Sequence, residues 1–246
     1  MSTTSEPTSE PQPHPRNFRP YKGTVWRIVE AQHRISTNRL AAGADDQALL
    51  ETLVERVKPA LPRAARGLHY LLSTPFRYGH SRASRFRRAN EKPGVFYASE
   101  TLATAVAEAA WWRLRFLSRS PGVEPPHSTI EHTAFTVSVN SARALDLTAA
   151  PFAKAGPLWM AVDDYLPCQR FATAARAIDA QLIRYRSVRE AEHRANVAVL
   201  DPAALVGKSL RIEGTWHFRV EGGMLTAFAA FPSTERYGFT TRVQHP

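Results

Sequence analysis

The sequence predicts an α+β fold in which helices pack on a mixed, partly antiparallel sheet. The chain has 246 residues, of which 43% are apolar, so it can bury a sizeable core. Segments with the alternating pattern of short strands outnumber segments with helical periodicity, and the two kinds do not alternate regularly along the chain. Residues 24–231 contain no internal repeat and no linker. The pattern therefore indicates one domain, over residues 21–246.

The first 20 residues, MSTTSEPTSEPQPHPRNFRP, are rich in Pro, Ser, Thr and Glu and have almost no apolar content. Such a segment cannot bury enough surface to offset the entropy lost on ordering. We therefore expect residues 1–20 to form a disordered tail.

The alternating segment TVWRIVE, residues 24–30, predicts the first strand.

The segment DDQALLETLVERVKPAL predicts a helix over residues 45–61. Its apolar residues recur at intervals of three and four, which is the spacing of one helix face. Asp45 or Asp46 can cap the start of the helix, and Pro59 can end it. The apolar positions are Leu49, Leu50, Leu53, Val54 and Val57.

The rest of the chain predicts further strands around two more helices. Residues 94–100, GVFYASE, alternate like a strand, and residues 101–117, TLATAVAEAAWWRLRFL, have apolar stripes at helical spacing. A strand is predicted over residues 133–141 and a helix over residues 167–180. Short strands are then predicted from residue 182, and over residues 196–200, 209–213, 215–220 and 224–231.

Composition and motifs argue against several classes of protein. No run of about 18 uncharged apolar residues and no signal-peptide pattern is present, so we expect a cytoplasmic protein with no membrane span. The only cysteine, Cys168, cannot form an internal disulfide, and the nine histidines include no pair with metal-ligand spacing on a helix. We therefore expect no metal site. The glycine motifs of phosphate-binding loops and nucleophile elbows are absent as well.

The formal net charge is +10, and it is unevenly distributed. Residues 77–119 contain nine Lys and Arg against three Glu, an excess of six positive charges. Such a segment is attracted to anions. Three interpretations stay open on charge alone: a solvated basic face, a nucleic-acid patch, and a pocket for a phosphorylated small molecule.

Glu108 is an acid within the otherwise apolar stretch from Ala105 to Trp112. Burying a carboxylate costs several kcal/mol unless it has a partner. One interpretation is a structural ion pair with Arg85 or Arg115. The other is a catalytic carboxylate at the mouth of a basic pocket.

The segment LIRYRSVRE, residues 182–190, predicts a short strand that stops on the hydroxyl of Ser187. Because side chains alternate along a strand, Arg184 and Arg186 fall on the face opposite Ser187 and Arg189. Arg189 is therefore the expected pocket residue of the three arginines, whereas Arg184 and Arg186 are expected to be solvated or paired.

The segment SRFRRANEKPGVFYASETLATAVAEAAWW, followed by LIRYRSVRE and then NVAVL, resembles the RES domain family. The matching residues are Arg85 in SRF, Tyr97 in FYAS, Glu108 in AVAEAAWW and Ser187 in RYRSVR. Arg27 in VWRIV lies where the family has an Arg on its first strand. The resemblance covers roughly residues 24–220. Residues 35–75 look like a helical insertion beyond the compact family core.

The resemblance implies an ADP-ribosyltransferase-like fold and the activity of a toxin from a toxin–antitoxin pair. It implies NAD⁺ as substrate with no other cofactor, and an Xre-like antitoxin as protein partner, so nucleic acid is bound only through that partner. By this resemblance, Glu108 stabilises the ribosyl cation and Arg85 and Arg27 hold phosphate or ribose oxygens. Tyr97 then packs on nicotinamide, and Ser187 orients either the ribose or Glu108.

Several alternatives stay open. The family's turn is SRFRRAN here, so Arg87 or Arg88 could fill the role expected of Arg85. The ribosyl acceptor can be water, phosphate or a protein side chain, and a homo-oligomer is not decided. The rival function is a nucleic-acid-binding or ribonuclease-type toxin, which needs exposed aromatics on a basic stripe. Because Trp111 and Trp112 lie among alanines, we expect them to be buried.

Overall fold

A computed structural model describes residues 10–31, 43–119 and 129–240. Its centre is an eight-stranded sheet in the order β1-β2-β5-β4-β3-β6-β7-β8. The strands are β1 (Arg19–Glu30), β2 (Phe96–Ser99), β3 (Ile130–Asp146), β4 (Leu182–Arg186), β5 (Ala195–Val199), β6 (Arg211–Glu221), β7 (Met224–Ala229) and β8 (Arg236–Thr240). The helices are α1 (Ala44–Val57), α2 (Tyr70–Arg77), α3 (Leu102–Ser118), α4 (Gly156–Trp159) and α5 (Leu166–Ala177).

The sheet is mixed, as the sequence predicts. Strands β3 and β4 run parallel, whereas the other pairings among the described strands are antiparallel. Strand β1 also pairs with β3 along almost its whole length, so β1, β2, β5, β4 and β3 form a closed ring. The predicted α+β class with a partly antiparallel sheet is confirmed.

The boundary predicted for the N-terminal tail is too late. Residues 1–9 lie outside the described residues, but residues 10–20 are described: β1 already begins at Arg19, which pairs with Ala144 of β3. Glu10 lies 3.4 Å from the guanidinium of Arg170. Composition underestimates the order of residues 10–20 because a main-chain ladder, which needs no apolar side chains, holds the end of this segment.

The described part of the 35–75 segment is largely helical. Helix α1 ends two residues before Pro59, close to the predicted end, and its side chains Leu49, Leu53 and Val57 are exposed. Helix α2 packs on the sheet through Leu72 and Phe76. Residues 32–42 lie outside the described part of the chain. Among the described residues, no helix has the length and apolarity needed to cross a membrane.

Helix α3 carries Glu108 and is held by a side-chain cap at its start and by apolar packing along its length. The side chain of Thr101 caps its start by accepting a hydrogen bond from the main-chain N–H of Thr104 at 3.2 Å. Further along, Val106, Ala110 and Leu114 pack in a cluster with side chains of β6 and β7. Each large apolar side chain buried in this way contributes about 1.5–3 kcal/mol, so the helix is firmly placed beside the sheet.

Candidate active site

A cavity of about 620 Å³ lies beside α3, within the range of about 300–1,000 Å³ typical of ligand sites. Strands β1, β2, β4 and β5, helices α2 and α3 and three loops contribute to its wall. The charged and aromatic lining residues include Arg27, Arg82, Arg85, Arg87, Tyr97, Glu108, Trp111, Trp112, Tyr165, Tyr185 and Arg189. The cavity thus brings the basic segment and the acid of α3 together.

The carboxylate of Glu108 is held by two neutral donors. Its Oε1 accepts a hydrogen bond from Ser187 Oγ at 2.7 Å and another from Asn196 Nδ2 at 2.7 Å. Among the described residues, Glu108 forms no ion pair with Arg85 or Arg115, which was the structural interpretation. Arg85 donates to the main-chain carbonyl of Trp159 at 2.7 Å, and Arg115 pairs with Asp163 at 3.5 Å.

Ser187 is fully buried, and its hydroxyl is already engaged. It donates to Glu108, while the main-chain N–H groups of Arg189 and Glu190 donate to its Oγ at 3.1 and 3.2 Å. Its side chain does not line the cavity. Of the two predicted roles, orienting Glu108 is the one that matches the hydrogen bond between these two side chains.

Asn196 completes this arrangement and is absent from the predicted site. It opens the apolar run of β5 and is 1% exposed. Its Oδ1 accepts a hydrogen bond from Ser99 Oγ at 2.6 Å, and Ser99 is its direct cross-strand neighbour on β2. The signal in the sequence was a polar amide at the start of the buried strand NVAVL, because such a group needs a partner.

Tyr97 positions the loop that carries the arginines. Its hydroxyl accepts from the main-chain N–H of Phe86 at 2.9 Å and shares a hydrogen bond of 2.8 Å with Ser84 Oγ. Burial raises the pKa of Tyr97 to about 12, so the hydroxyl stays protonated near neutral pH. The ring lines the cavity, as the prediction of a nicotinamide contact requires.

The three arginines of SRFRRAN differ in burial, in their contacts and in whether they line the cavity. Arg85 is buried, lines the cavity and lies with its guanidinium 4.9 Å from the ring centre of Tyr165. Arg87 also reaches the cavity wall, but its guanidinium donates to the carbonyls of His80, Arg82 and Arg88 and so fastens its own loop. Arg88 is exposed and does not line the cavity. Arg85 is the best placed to meet a ligand.

Arg27 reaches the cavity from β1. Its Nη1 donates to the main-chain carbonyl of Tyr97 at 3.1 Å, and its guanidinium lies 4.8 Å from the ring centre of Phe96. Burial lowers the pKa of Arg27 to about 10, which still leaves it cationic near neutral pH. Arg27 thus lies on the first strand and contributes a cation to the cavity wall.

The three arginines around Ser187 lie in different environments. Arg184 forms ion pairs with Glu100 at 2.7 Å and with Asp146 at 3.3 Å, and Arg186 is exposed. Arg189 lines the cavity, where its guanidinium lies 3.6 Å from the ring centre of Trp111. Of the three arginines, Arg189 is the one that lines the cavity, although β4 ends at Arg186 and Arg189 lies in the segment after that strand.

The two tryptophans of α3 differ from their predicted burial. Trp111 is half-buried between Arg189 and the guanidinium of Arg115, which lies 4.7 Å from its ring centre. Trp112 is 46% exposed and lines the outer wall of the cavity together with Arg82. Alanine neighbours predicted burial, but α3 runs along the mouth of the cavity, where one of its faces stays open.

The described residues contain no group of three or more His, Cys, Asp or Glu side chains that could hold a metal ion. The lining of the cavity combines the carboxylate of Glu108 with guanidinium groups and aromatic rings. Such a site can bind an anionic ligand and can stabilise a positive charge that develops near Glu108.

Comparison with known proteins gives a family match and a distant structural similarity. No curated protein matches the chain significantly. A solved structure described as the M. tuberculosis MbcT-MbcA toxin-antitoxin complex is similar at 14% sequence identity and a TM-score of 0.46, covering 82% of this chain and 87% of that chain. The model of the RES domain matches residues 60–221, which is more than half of the sequence and includes Arg85, Tyr97, Glu108 and Ser187. The chain belongs to the RES domain family.

Proposed function

We propose that this protein is a toxin that cleaves the bond between nicotinamide and ribose in NAD⁺ and so depletes the cell of that dinucleotide. One observation carries the proposal: the Glu108 carboxylate lines a cavity whose wall also contains Arg27, Arg85 and Arg189. A substrate that fits must combine anionic groups with a centre that becomes positive during the reaction. NAD⁺ has both.

The cleavage step needs a fixed negative charge. As the bond between C1′ and the nicotinamide nitrogen breaks, nicotinamide leaves with the electron pair and the ribose becomes an oxocarbenium-like cation. Glu108 stabilises that cation, and a preorganised electrostatic contact of this kind contributes about 3–4 kcal/mol to catalysis. Because its partners Ser187 and Asn196 are neutral, the carboxylate is positioned without being neutralised.

The binding of NAD⁺ needs positive charge and an aromatic surface. Guanidinium groups bind phosphate oxygens through paired, charge-assisted hydrogen bonds, which suits Arg85, Arg27 and Arg189 to the pyrophosphate or ribose oxygens. The ring of Tyr97 provides a face for the cationic nicotinamide, a contact that contributes about 0.5–2 kcal/mol. Its hydroxyl is bonded to the loop, which keeps that ring in place.

The acceptor of the ribosyl group is water or phosphate in this proposal. Water gives ADP-ribose and a proton, whereas phosphate gives the ribose 1-phosphate derivative. The second candidate is transfer of ADP-ribose to a protein, and the exposure of Trp112 at the cavity mouth favours it because a macromolecule can approach there. The net charge of +10 and the same exposed ring keep a nucleic-acid substrate as the rival outcome.

A toxin of this kind acts in the cytoplasm and needs a partner that restrains it. We propose an acidic, Xre-like antitoxin whose bound segment reaches Arg85 and fills the cavity, with nucleic acid bound only through that partner. The support is electrostatic, because the basic segment 77–119 forms much of the cavity wall and attracts an acidic chain.

The decisive experiment is to incubate the purified protein with NAD⁺, with and without inorganic phosphate, and to identify the products by mass. ADP-ribose in both reactions indicates hydrolysis, and a product one phosphate heavier that needs added phosphate indicates phosphorolysis. Free nicotinamide accompanies both. NAD⁺ that stays intact, together with cleavage of an RNA substrate, would overturn the proposal in favour of a ribonuclease.

A further inference from the structure

The buried amide of Asn196 connects the sheet to the acid of α3. Asn196 lies on β5 directly opposite Ser99 of β2, and both side chains are buried. Ser99 Oγ donates to Asn196 Oδ1 at 2.6 Å, and Asn196 Nδ2 donates to Glu108 Oε1 at 2.7 Å. The amide is therefore oriented by one hydrogen bond and orients Glu108 by the next.

The direction of this chain of bonds is determined by chemistry. An ionised carboxylate only accepts hydrogen bonds, so the atom of Asn196 that faces Glu108 must be its NH₂ group. The Ser99 hydroxyl then donates to the remaining oxygen of the amide. No other arrangement of the two Asn196 polar atoms satisfies both neighbours, and an unsatisfied buried polar group would cost about 1–3 kcal/mol.

Both donors to Glu108 act on the same oxygen. Ser187 and Asn196 bind Oε1, and the described residues place no hydrogen-bond donor on Oε2. Two bonds on one oxygen fix the rotation of the carboxylate about its last torsion, which is otherwise broad. The other oxygen is left for a ligand in the cavity that Glu108 lines.

We infer that Asn196, oriented by Ser99, is a positioning residue that presents Glu108 Oε2 to the substrate, a role beyond that of the Ser187 hydroxyl. The inference deepens the proposed function and rests on Glu108 as the acid of that reaction. Asn196 does not carry out the chemistry, so its loss is expected to lower turnover more than substrate affinity.

The first test replaces Asn196. The variant Asn196→Ala loses one charge-assisted hydrogen bond to Glu108, so kcat for NAD⁺ is expected to fall about 10- to 100-fold with little change in KM. A thermal melt shows whether the variant folds. A rise in KM without a fall in kcat, or a kcat equal to that of the parent, would contradict the inference.

The second test distinguishes positioning from general structural damage. In Asn196→Asp, a protonated carboxyl can donate to Glu108 Oε1 as the amide does, whereas an ionised one repels it. Activity relative to the parent is therefore expected to fall as the pH rises from about 5 to about 8, the range over which a carboxyl beside a second carboxylate loses its proton. A merely structural role predicts the same fractional activity at every pH.

The neighbouring titratable groups do not produce this profile. Tyr185 and Arg189 are electrostatically coupled to Glu108, but burial raises the pKa of Tyr185 well above its usual value and Arg189 stays cationic. His193, whose ring contacts the main-chain carbonyl of Ser187 at 2.7 Å, is present in both the variant and the parent. Its effect therefore cancels when the activity of the variant is divided by that of the parent. The matched control is Asn140→Asp, because Asn140 is an exposed asparagine on β3. It should follow the parent at every pH.

A third measurement does not depend on the reaction. In ¹⁵N-labelled protein, the side-chain NH₂ signal of Asn196 is identified by its absence in Asn196→Asp, and it is expected to shift when Glu108→Gln removes the charge that it contacts. An unchanged signal would overturn the inference even if NAD⁺ is the substrate. If the signal shifts in Glu108→Gln but the parent protein leaves NAD⁺ intact, the hydrogen bond is supported and the proposed function is overturned.

Discussion

The guanidinium carbon of Arg189 lies 3.6 Å from the ring centre of Trp111, and its Nη2 donates to the main-chain carbonyl of Val162 at 2.9 Å and to the hydroxyl of Tyr165 at 3.2 Å. One side chain thus joins α3 to the segment before α5 across the wall of the cavity. Its charge stays at the cavity because the stacking and the hydrogen bonds hold it there.

We predict that Arg189→Ala raises KM for NAD⁺ about 10-fold or more, because it removes a held cation from the cavity and a hydrogen bond to a charged group is typically worth about 1.5–3 kcal/mol. Steady-state kinetics of NAD⁺ loss measure this. The matched control is Arg186→Ala, which removes an exposed arginine three residues earlier. Equal KM values in the two variants would contradict a binding role for Arg189.

Glu108→Gln is expected to keep the fold and to reduce kcat/KM for NAD⁺ at least 100-fold, because the amide has nearly the same shape but cannot stabilise a developing cation electrostatically. Glu235→Gln, at an exposed position between β7 and β8, is the control for the same chemical change. If Glu108→Gln remained as active and as toxic to cells as the parent, the proposed mechanism would be wrong.

The three neighbouring arginines should respond differently to alanine. Arg85→Ala is expected to weaken NAD⁺ binding, and Arg87→Ala mainly to lower Tm, since its guanidinium fastens its own loop through three carbonyls. Arg88→Ala, which removes an exposed side chain, should change neither. Titration calorimetry and thermal melts report the two effects separately. Unchanged affinity in Arg85→Ala with a loss in Arg87→Ala would transfer the ligand contact to Arg87.

Tyr97→Phe should separate the hydroxyl of Tyr97 from its ring. Without the hydroxyl, the main-chain N–H of Phe86 loses its acceptor, which costs about 1–3 kcal/mol, or a few degrees of Tm in a protein of this size. The ring remains, so the affinity for NAD⁺ should change much less than in Tyr97→Ala. A Tm equal to that of the parent would show that the hydroxyl does not hold the loop.

An antitoxin that fills the cavity should compete with NAD⁺. Its inhibition is expected to be relieved as NAD⁺ is raised, and its association rate to fall at high salt because long-range attraction to the basic wall is screened. Kinetics at several concentrations of NAD⁺ and salt decide this. Inhibition that no concentration of NAD⁺ relieves, in a complex that leaves Arg85 and Glu108 open to solvent, would indicate a remote mechanism.

Several features of the site followed from local pattern alone. The alternation of side chains along LIRYR placed Arg184 and Arg186 on the face opposite Tyr185, because the pleat of a strand repeats every two residues whatever the fold around it. Glu108 was conspicuous because an acid in an apolar helix needs a partner wherever the helix packs. Both expectations depend on neighbours within a few residues along the chain.

The partner of Glu108 depended on the tertiary structure. Asn196 lies 88 residues from Glu108 and 97 from Ser99, so their contact exists only because β5 pairs with β2 and α3 lies beside them. The exposure of Trp112 likewise followed from where α3 runs along the cavity. Composition cannot reveal either feature.

By itself, the sequence determined the α+β class, the helix that carries Glu108, the strand that ends just before Ser187 and the basic character of the segment 77–119. The tertiary structure decided that Arg85 and Arg87 reach the cavity wall whereas Arg88 does not, that β1 begins at Arg19, and that Asn196 is bonded to Glu108. The physical reason is that periodicity and burial cost act between close neighbours in the chain. Hydrogen bonds between distant side chains form only after strand order and helix packing have brought them together.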